Sequence, residues 1–400
     1  MSPVIVIPAF SRELSLLRLL ESLARAEYPE IVKLIISLEG GASDAVIRVA
    51  KQFSSPKLLV TVIFQEKRLG LRKHIIACGD LALKYGSVIV LEDDLAVDRY
   101  FYHYAVAALD CYAENENIAG VALTGIEFND SSGLPFKPLV NGYSTYLVKI
   151  PCSSGQCWTS AQWARFKSWY ADSSGETVCL TEGLPDSVKE WPESSWKKYF
   201  AAYICRENLY FVYPYQAYST NCSDPGGSHI LEGADHYQVS FASQNRQSPI
   251  FDFCPVSKPD VAYDAFLEPC GEYIFSILKM QADEVEIDIY GTKPASLISK
   301  KKFILTSRPV LNSVNRFPKR FRPVEHNFSY PSLQNFEDCI SLSEIAELKS
   351  IDVRKPTLID YSYYAGINFF SMALVREVLL VALPSIVAKR IRFALRKVRR

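Results

Sequence analysis

The 400-residue sequence predicts an α/β protein built on a sheet with helices on both faces. Four short apolar runs punctuate the first quarter of the chain. Segments of helical periodicity separate them, and turn-forming or acidic residues follow most of them.

Val4 to Pro8 has the size of a buried strand. Arg12 to Glu27 follows as a helix, with Leu14, Leu17, Leu20 and Leu23 expected on its apolar face. Val32 to Leu38 reads as a second strand ending in Glu39-Gly40-Gly41, and Asp44 to Phe53 as a helix. Leu58 to Phe64 is a third strand, Leu71 to Tyr85 a helix, and Ser87 to Leu91 a fourth strand running into Glu92-Asp93-Asp94. Sheets of this rhythm bind ligands beyond the carboxyl ends of their strands. The segments to inspect are therefore Pro8-Ala9-Phe10, Glu39-Gly40-Gly41 and the acidic triplet.

Beyond residue 97 the rhythm changes. Helices are expected at Tyr100 to Ala113, Trp158 to Tyr170 and Ser194 to Cys205, and strands at Tyr143 to Lys149 and Asn208 to Pro214. A polar loop runs from Asn221 to His229, and Gln244 to Pro249 reads as a linker. Then come a helix near Leu267 to Met280, strands at Glu284 to Ile289 and Lys302 to Thr306, and a Pro- and Arg-rich stretch from Pro309 to Pro331 with little periodicity. The division expected is a first domain over 1–245, a smaller α+β module over 246–365 and a tail over 366–400.

Acidic and basic residues balance at 44 each, so overall charge points to no partner. None of the ten cysteines forms a Cys-x-x-Cys pair or a zinc spacing, and reduced thiols in a cytoplasmic compartment are expected. Neither a signal peptide nor a transmembrane run of about 18 or more apolar residues is read from the sequence.

The chemistry concentrates in Val88-Ile89-Val90-Leu91-Glu92-Asp93-Asp94, where an apolar strand delivers three carboxylates into a crevice. Adjacent carboxylates repel, and a cation offsets the cost of gathering them. A hard divalent ion (Mn2+ or Mg2+) takes oxygen ligands and shares them with a substrate diphosphate. Alternatively, Asp94 caps the helix starting near Asp98.

Read together and in order, Val6 to Arg12, Ser37 to Gly41, Leu71 to His74, Leu91 to Leu95 with Phe101, Gly155-Gln156-Cys157-Trp158 and Gly227-Ser228-His229 resemble the GT-A glycosyltransferases. This is the Rossmann-like nucleotide-diphospho-sugar transferase fold, a mixed sheet flanked by helices. The likeness is to the bacterial family-2-like group, and to the Golgi N-acetylglucosaminyltransferase that initiates complex N-glycans. It covers roughly residues 3 to 235.

The resemblance implies that Asp94 is a metal ligand, with His229 of the late loop the second candidate. Glu92 and Asp93 match positions on the ribose and base side of the donor. Arg12 matches a basic residue facing the nucleotide, and Pro8 and Phe10 go with it in donor binding. Glu39 stands where the family has an acid reading the base edge, usually Asp. Arg72 and His74 match a basic segment near the donor. In the Golgi relative the base that activates the acceptor lies in a Trp-Asp-Asp-Trp motif. Here the stretch is Trp191-Pro192-Glu193-Ser194-Ser195-Trp196, with serines at the acidic positions. Glu193 is the nearest carboxylate, and Asp186 is the other catalytic candidate.

The tail has no acid after Glu377 and carries Lys389, Arg390, Arg392, Arg396, Lys397, Arg399 and Arg400 among apolar residues. A basic amphipathic helix suits an anionic membrane surface, and a helix docked on the enzyme is the alternative. No motif for nucleic acid accompanies the charge. The expected activity is transfer from a nucleotide-sugar, a UDP-sugar by preference, to a glycan or lipid-linked acceptor in surface polysaccharide synthesis. The expected location is cytoplasmic or peripheral on the inner face of the plasma membrane. A sugar nucleotidyltransferase and a non-catalytic carbohydrate-binding or scaffold protein on the same fold are the rivals.

Overall fold

The computed structural model describes residues 1–224, 237–241, 249–331 and 338–367. The first part opens with β1 (Val4–Ala9), α1 (Glu13–Arg25), β2 (Val32–Leu38), α2 (Asp44–Gln52), β3 (Leu58–Phe64), α3 (Leu71–Tyr85) and β4 (Ser87–Val90). It continues through β5 (Leu95–Val97), α4 (Phe101–Tyr112), β6 (Ile118–Ala122), the short pair β7 (Phe128–Asn129) and β8 (Leu134–Pro135), β9 (Thr145–Val148) and β10 (Gln156–Thr159). Next are α5 (Ser160–Ala171), α6 (Gly175–Cys179), α7 (Asp186–Lys189), α8 (Trp196–Arg206), β11 (Tyr210–Pro214) and β12 (Ser219–Asn221). The remainder holds β13 (Ala262–Tyr263), α9 (Glu272–Leu278), β14 (Val285–Asp288), α10 (Ala295–Ile298), β15 (Phe303–Thr306), β16 (Asn315–Pro318), β17 (Cys339–Glu344) and α11 (Leu358–Ala365).

Nine strands form one mixed sheet in the order β13-β9-β11-β6-β10-β4-β1-β2-β3. The half with β4, β1, β2 and β3 is parallel, as the βαβ rhythm requires. The direction changes at β10, antiparallel to both β4 and β6. Side chains alternate between two cores. Ile5, Ile7, Leu34 and Ile36 face a core shared with α1, α2 and α4. Val4, Val6 and Ile35 face another, filled by Trp158, Trp163, Phe166 and Phe200 near α3, α5 and α8. The contact between α3 and α5 is tight: a Cβ on Gly79 would come within 2.1 Å of the Trp163 ring.

Several sequence expectations need correction. Leu14 and Leu17 of α1 are exposed, and the buried set is Leu16, Leu19, Leu20 and Leu23. Steps of three drift around a helix of 3.6 residues per turn, and steps of three and four together hold one face. The helix expected from Trp158 starts at Ser160, because Gln156 to Thr159 are needed in β10. Thr159 caps α5 in a reciprocal capping box with Gln162. The helix near Leu267 to Met280 shrinks to α9. The irregular stretch after Pro309 contains β16, and β17 was not anticipated.

The chain also stays with the large sheet past residue 245. Tyr112 donates to the carbonyl of Cys254 at 2.8 Å, and β13 pairs in parallel with β9. A separate four-stranded sheet, β14-β15-β17-β16, carries its own small core around Ile287, Leu305, Phe317 and Ile340. Tyr263 of the large sheet donates to Glu325 Oε1 at 2.6 Å, joining the two sheets through a buried pair. The Gln244 to Pro249 linker and the basic tail fall on residues outside those described, save Pro249 and the tail's first two residues.

Burial pushes the Glu325 carboxyl up to about 7, against the hydrogen bond from Tyr263. A carboxyl raised in the folded state stabilises it below the unfolded value and loses that contribution as pH rises through the folded one. Replacing Glu325 with Gln should therefore remove a pH-dependent loss on the order of 1–3 kcal/mol. Melting temperatures of both proteins from pH 5 to pH 8 check this. The Gln variant should gain on wild type as pH rises, and a gap independent of pH would refute it.

Candidate active site

A cleft of about 280 Å³ opens where the loops after β1, β2 and β4 meet the N-terminus of α3. Its lining includes Pro8, Phe10, Arg12, Glu39, Arg68, Gly70, His74, Glu92 and Asp93. Every donor-site residue expected from the sequence except Arg72 therefore lies on one surface, at the carboxyl edge of the parallel strands.

The acidic triplet leaves β4 with its carboxyls in different surroundings. The Arg12 guanidinium donates Nη1 to Asp94 Oδ2 at 2.8 Å and pairs through Nη2 with Asp93. Burial raises the Asp93 carboxyl to about 6 despite this partner. Burial, then the charges of Asp94 and Asp93, push Glu92 to about 8, and Trp196 at the start of α8 bonds to it. The three do not form a cage. Among the described residues no group of three or more His, Cys, Asp or Glu side chains is arranged to hold a metal. His229 lies outside the described residues.

Glu39 is held by main-chain N–H groups around the cleft. Its Oε1 accepts from the main-chain N–H of Gly40 at 3.0 Å and Leu69 at 2.7 Å, and its Oε2 from Gly70 at 2.9 Å. The extra methylene of Glu over Asp carries the carboxylate to the loop before α3, which it clamps against the turn after β2. That turn fits because Gly40 has no side chain: a Cβ there would sit 2.2 Å from the Lys67 carbonyl carbon. Gly70 adopts φ +76°, where glycine carries no steric cost. The clamped loop presents Arg68, whose guanidinium stacks over Phe10 at 4.8 Å.

His74 is buried rather than a surface residue of α3. Its Nε2 lies 2.8 Å from Ser37 Oγ, which accepts from Gln65 Nε2 at 3.1 Å. With that hydroxyl donating to Nε2, the ring proton sits on Nδ1, facing Glu39 Oε2 at 3.7 Å. Burial lowers the His74 pKa, against the pull of Glu39, and favours the neutral ring.

The remaining candidates sit outside the cleft lining. Arg72 stacks on Tyr199 at 4.7 Å and reaches Glu193 Oε2 at 3.7 Å. Glu193 also takes Lys198 Nζ at 2.7 Å and the Tyr199 hydroxyl, which together with Arg72 lower its pKa. Asp186 is exposed and pairs with Lys189 at 3.1 Å. The structure thus ties Glu193 to the helix that borders the cleft and leaves Asp186 on a short surface helix.

Sequence reasoning missed Arg68 and the Trp196 contact with Glu92. The signal for Arg68 was present, since Lys67-Arg68 precedes a glycine at a helix start. Nothing local marked that contact, although Trp196 itself ends the stretch matched to the Trp-Asp-Asp-Trp motif, because its partner lies a hundred residues away.

Residues 4–133, about a third of the chain, match the family described as Glycosyl transferase family 2. That span carries the strands and turns that build the cleft. No protein of curated function matches the chain. Among solved structures it is similar to S. aureus TarS 1-349, with 15% identity over 56% of this chain and 61% of that one, at a TM-score of 0.37. It is similar also to the mannosyltransferase PcManGT from Pyrobaculum calidifontis in complex with GDP-Man and Mn2+ (14% identity, 57% and 59% covered, TM-score 0.35). GalNAc-T7 with UDP, GalNAc and Mn2+ is a third (12%, 58% and 46%, 0.37). The chain spans less than two thirds of the length of each.

Arg12 and a divalent ion would compete for the same oxygens. Replacing Arg12 with Gln should lower stability by about 1–3 kcal/mol without added metal, by leaving two carboxylates unpaired. It should also let millimolar MnCl2 raise the melting temperature more than in wild type. Equal responses to manganese in thermal melts would show that Arg12 does not occupy the cation position.

Proposed function

We propose that this protein is a glycosyltransferase that takes its sugar from a nucleoside-diphosphate sugar, a UDP-sugar by preference. The observation that carries the reading is the acidic triplet at the end of β4, opening onto a cleft floored by the loops of a family-2 glycosyl transferase span. The cleft suits a nucleotide: an aromatic ring and a guanidinium stand at Phe10 and Arg68, and a neutral imidazole at His74.

The donor chemistry of Asp93 and Asp94 fits a hard divalent ion. Both offer oxygen only, and both already hold a cation, Arg12. Asp94 would hold Mn2+ or Mg2+ with the diphosphate supplying further oxygens. When bound, the ion offsets the charge that develops on the leaving diphosphate. Arg12, released from the carboxylates, is placed to bind that same charge. The acceptor is a glycan or lipid-linked hydroxyl, and its proton goes to a carboxylate. Glu193 is assigned this role over Asp186 because Arg72 links it to the border of the cleft. Its depressed pKa keeps it ionised, so it must exchange its partners for the acceptor hydroxyl.

The relation to the Golgi N-acetylglucosaminyltransferase, a role in surface polysaccharide synthesis and attachment to an anionic membrane through the basic tail belong to the same proposal. So does the cytoplasmic location. No helix among the described residues is long and apolar enough to cross a membrane.

Calorimetric titration with UDP, with and without Mn2+, tests the donor site. Wild type should bind more tightly with Mn2+, and Asp94→Ala should lose that increment, a weakening of about 10-fold or more. Turnover of UDP-sugars should fall with it. Wild-type turnover in Asp94→Ala, or no binding of UDP, GDP, CMP or dTDP, would overturn the reading.

A further inference from the structure

Asp94 is held at both ends, and only its side chain is accounted for by Arg12. Its main-chain carbonyl accepts from the N–H of Cys222 at 2.9 Å and from Arg18 Nη2 at 3.4 Å. Cys222 directly follows β12, which pairs antiparallel with β5 through Asn221 and Leu95, Thr220 and Ala96, and Ser219 and Val97. The same Arg18 donates Nη1 to Asp224 Oδ1 at 2.8 Å and pairs through Nη2 with the other carboxylate oxygen. Ser15, one turn earlier on α1, donates to Asp224 Oδ2 at 2.6 Å.

The bend that brings Asp224 to this position is a strained one. Ser223 has φ +54°, an uncommon region for a residue with a Cβ, and its N–H is held by Asn221 Oδ1 at 2.6 Å. A turn of that kind persists where surrounding contacts enforce it. Here the enforcing contact is a bidentate guanidinium–carboxylate pair, the strongest geometry such a pair has. Arg18 lies inside the family-2 span, whereas Asp224 lies well outside it.

We propose that Arg18 and Asp224 are positioning residues for the donor site: as a pair they fix the main chain of Asp94 and so set its carboxylate against Arg12 at the edge of the cleft. The inference rests on the reading of Asp94 as the residue that meets metal and diphosphate. Neither residue lines the cleft. Arg18 acts by joining α1, the end of β12 and the Asp94 carbonyl into one unit. Its failure should therefore appear as a carboxylate that is present but misdirected.

The test uses the full chain and three variants, Arg18→Gln, Asp224→Asn and the double replacement, with Arg18→Lys as the conservative control. UDP affinity is measured with and without Mn2+, melting temperature is recorded, and hydrogen exchange is followed in a peptide containing the Cys222 amide. Each single variant should lose the Mn2+-dependent part of UDP binding by about 10-fold or more, as expected for partners that orient a ligating group. Metal-independent UDP binding should change little. The double variant should be no worse than the worse single one, because either change breaks the same unit. Arg18→Lys keeps the charge but not the fork and should recover only part of the loss. Cys222 exchange should accelerate in every variant that weakens binding.

Mn2+-dependent affinity within twofold of wild type in both single variants would overturn the proposal. So would equal loss of metal-dependent and metal-independent binding, which is what general destabilisation produces. If wild type itself shows no Mn2+-dependent binding, the donor-site reading fails first. Cys222 exchange then decides the positioning claim, which unchanged exchange in Arg18→Gln would overturn.

Discussion

The guanidinium of Arg12, set between Asp93 and Asp94, is the contact on which the site depends. Strand β4 is buried along its whole length, so the triplet that follows it starts from inside the protein. Three carboxylates there cannot all stay ionised without a counter-charge, and Glu92, which Arg12 does not pair with directly, shows this in its raised pKa. Arg12 supplies the counter-charge from the residue before α1. Its position is set by ordinary hydrophobic packing, through Leu16, Leu19, Leu20 and Leu23 against the sheet. The docking of one amphipathic helix thus places both Arg12 on the carboxylates and, two turns on, Arg18 beneath the Asp94 backbone. A change in how α1 packs would disturb the electrostatics of the cleft before it disturbed the fold.

The parts of this arrangement legible in the sequence were those set by local pattern. Strands β1 to β4 and helices α1 to α3 fell close to their expected limits, because short β-branched runs and helical periodicity bounded by turn residues are signals carried within a dozen residues. The acidic triplet was legible for the same reason. What could not be read locally was the far half of the sheet. β10 is four residues, Gln156 to Thr159, that have no strand-like alternation and extend because β4 and β6 leave a slot between them. The dipeptide Ala262-Tyr263 is likewise a strand only because β9 offers an edge. Tertiary pairing overrides propensity in both. The wrong face drawn for α1 had a different origin, a period of three applied where 3.6 holds.

At the level of single residues, identity was a better guide than role. Glu39 lines the cleft as its position implied, but its carboxylate is committed to three main-chain N–H groups. An Asp there would fall short of the loop before α3, whereas Glu reaches it. The added methylene is what lets this carboxylate build the wall of the cleft. His74 shows the converse. Expected only as part of a basic segment near the donor, it is in the structure a buried ring with both nitrogens facing named partners.

These commitments decide where discrimination in the cleft can come from. With Glu39 spent on the loop, its oxygens add no acceptor for a base edge. The polar groups left to face a ligand are the Ser11 hydroxyl, the Arg12 and Arg68 guanidiniums and the carboxyls of Glu92 and Asp93, with Phe10 as the flat surface among them. An aromatic ring and a stacked guanidinium tolerate several bases, because stacking is indifferent to the edge that a base presents. Two carboxyls raised to about 8 and about 6 are in turn able to donate to a hydroxyl as well as to accept from one. If the cleft takes the proposed nucleotide-sugar, these groups would meet its ribose and diphosphate ahead of its base. Base preference would have to arise at the margins of the cleft, where the clamped loop sets the distance between Arg68 and Phe10.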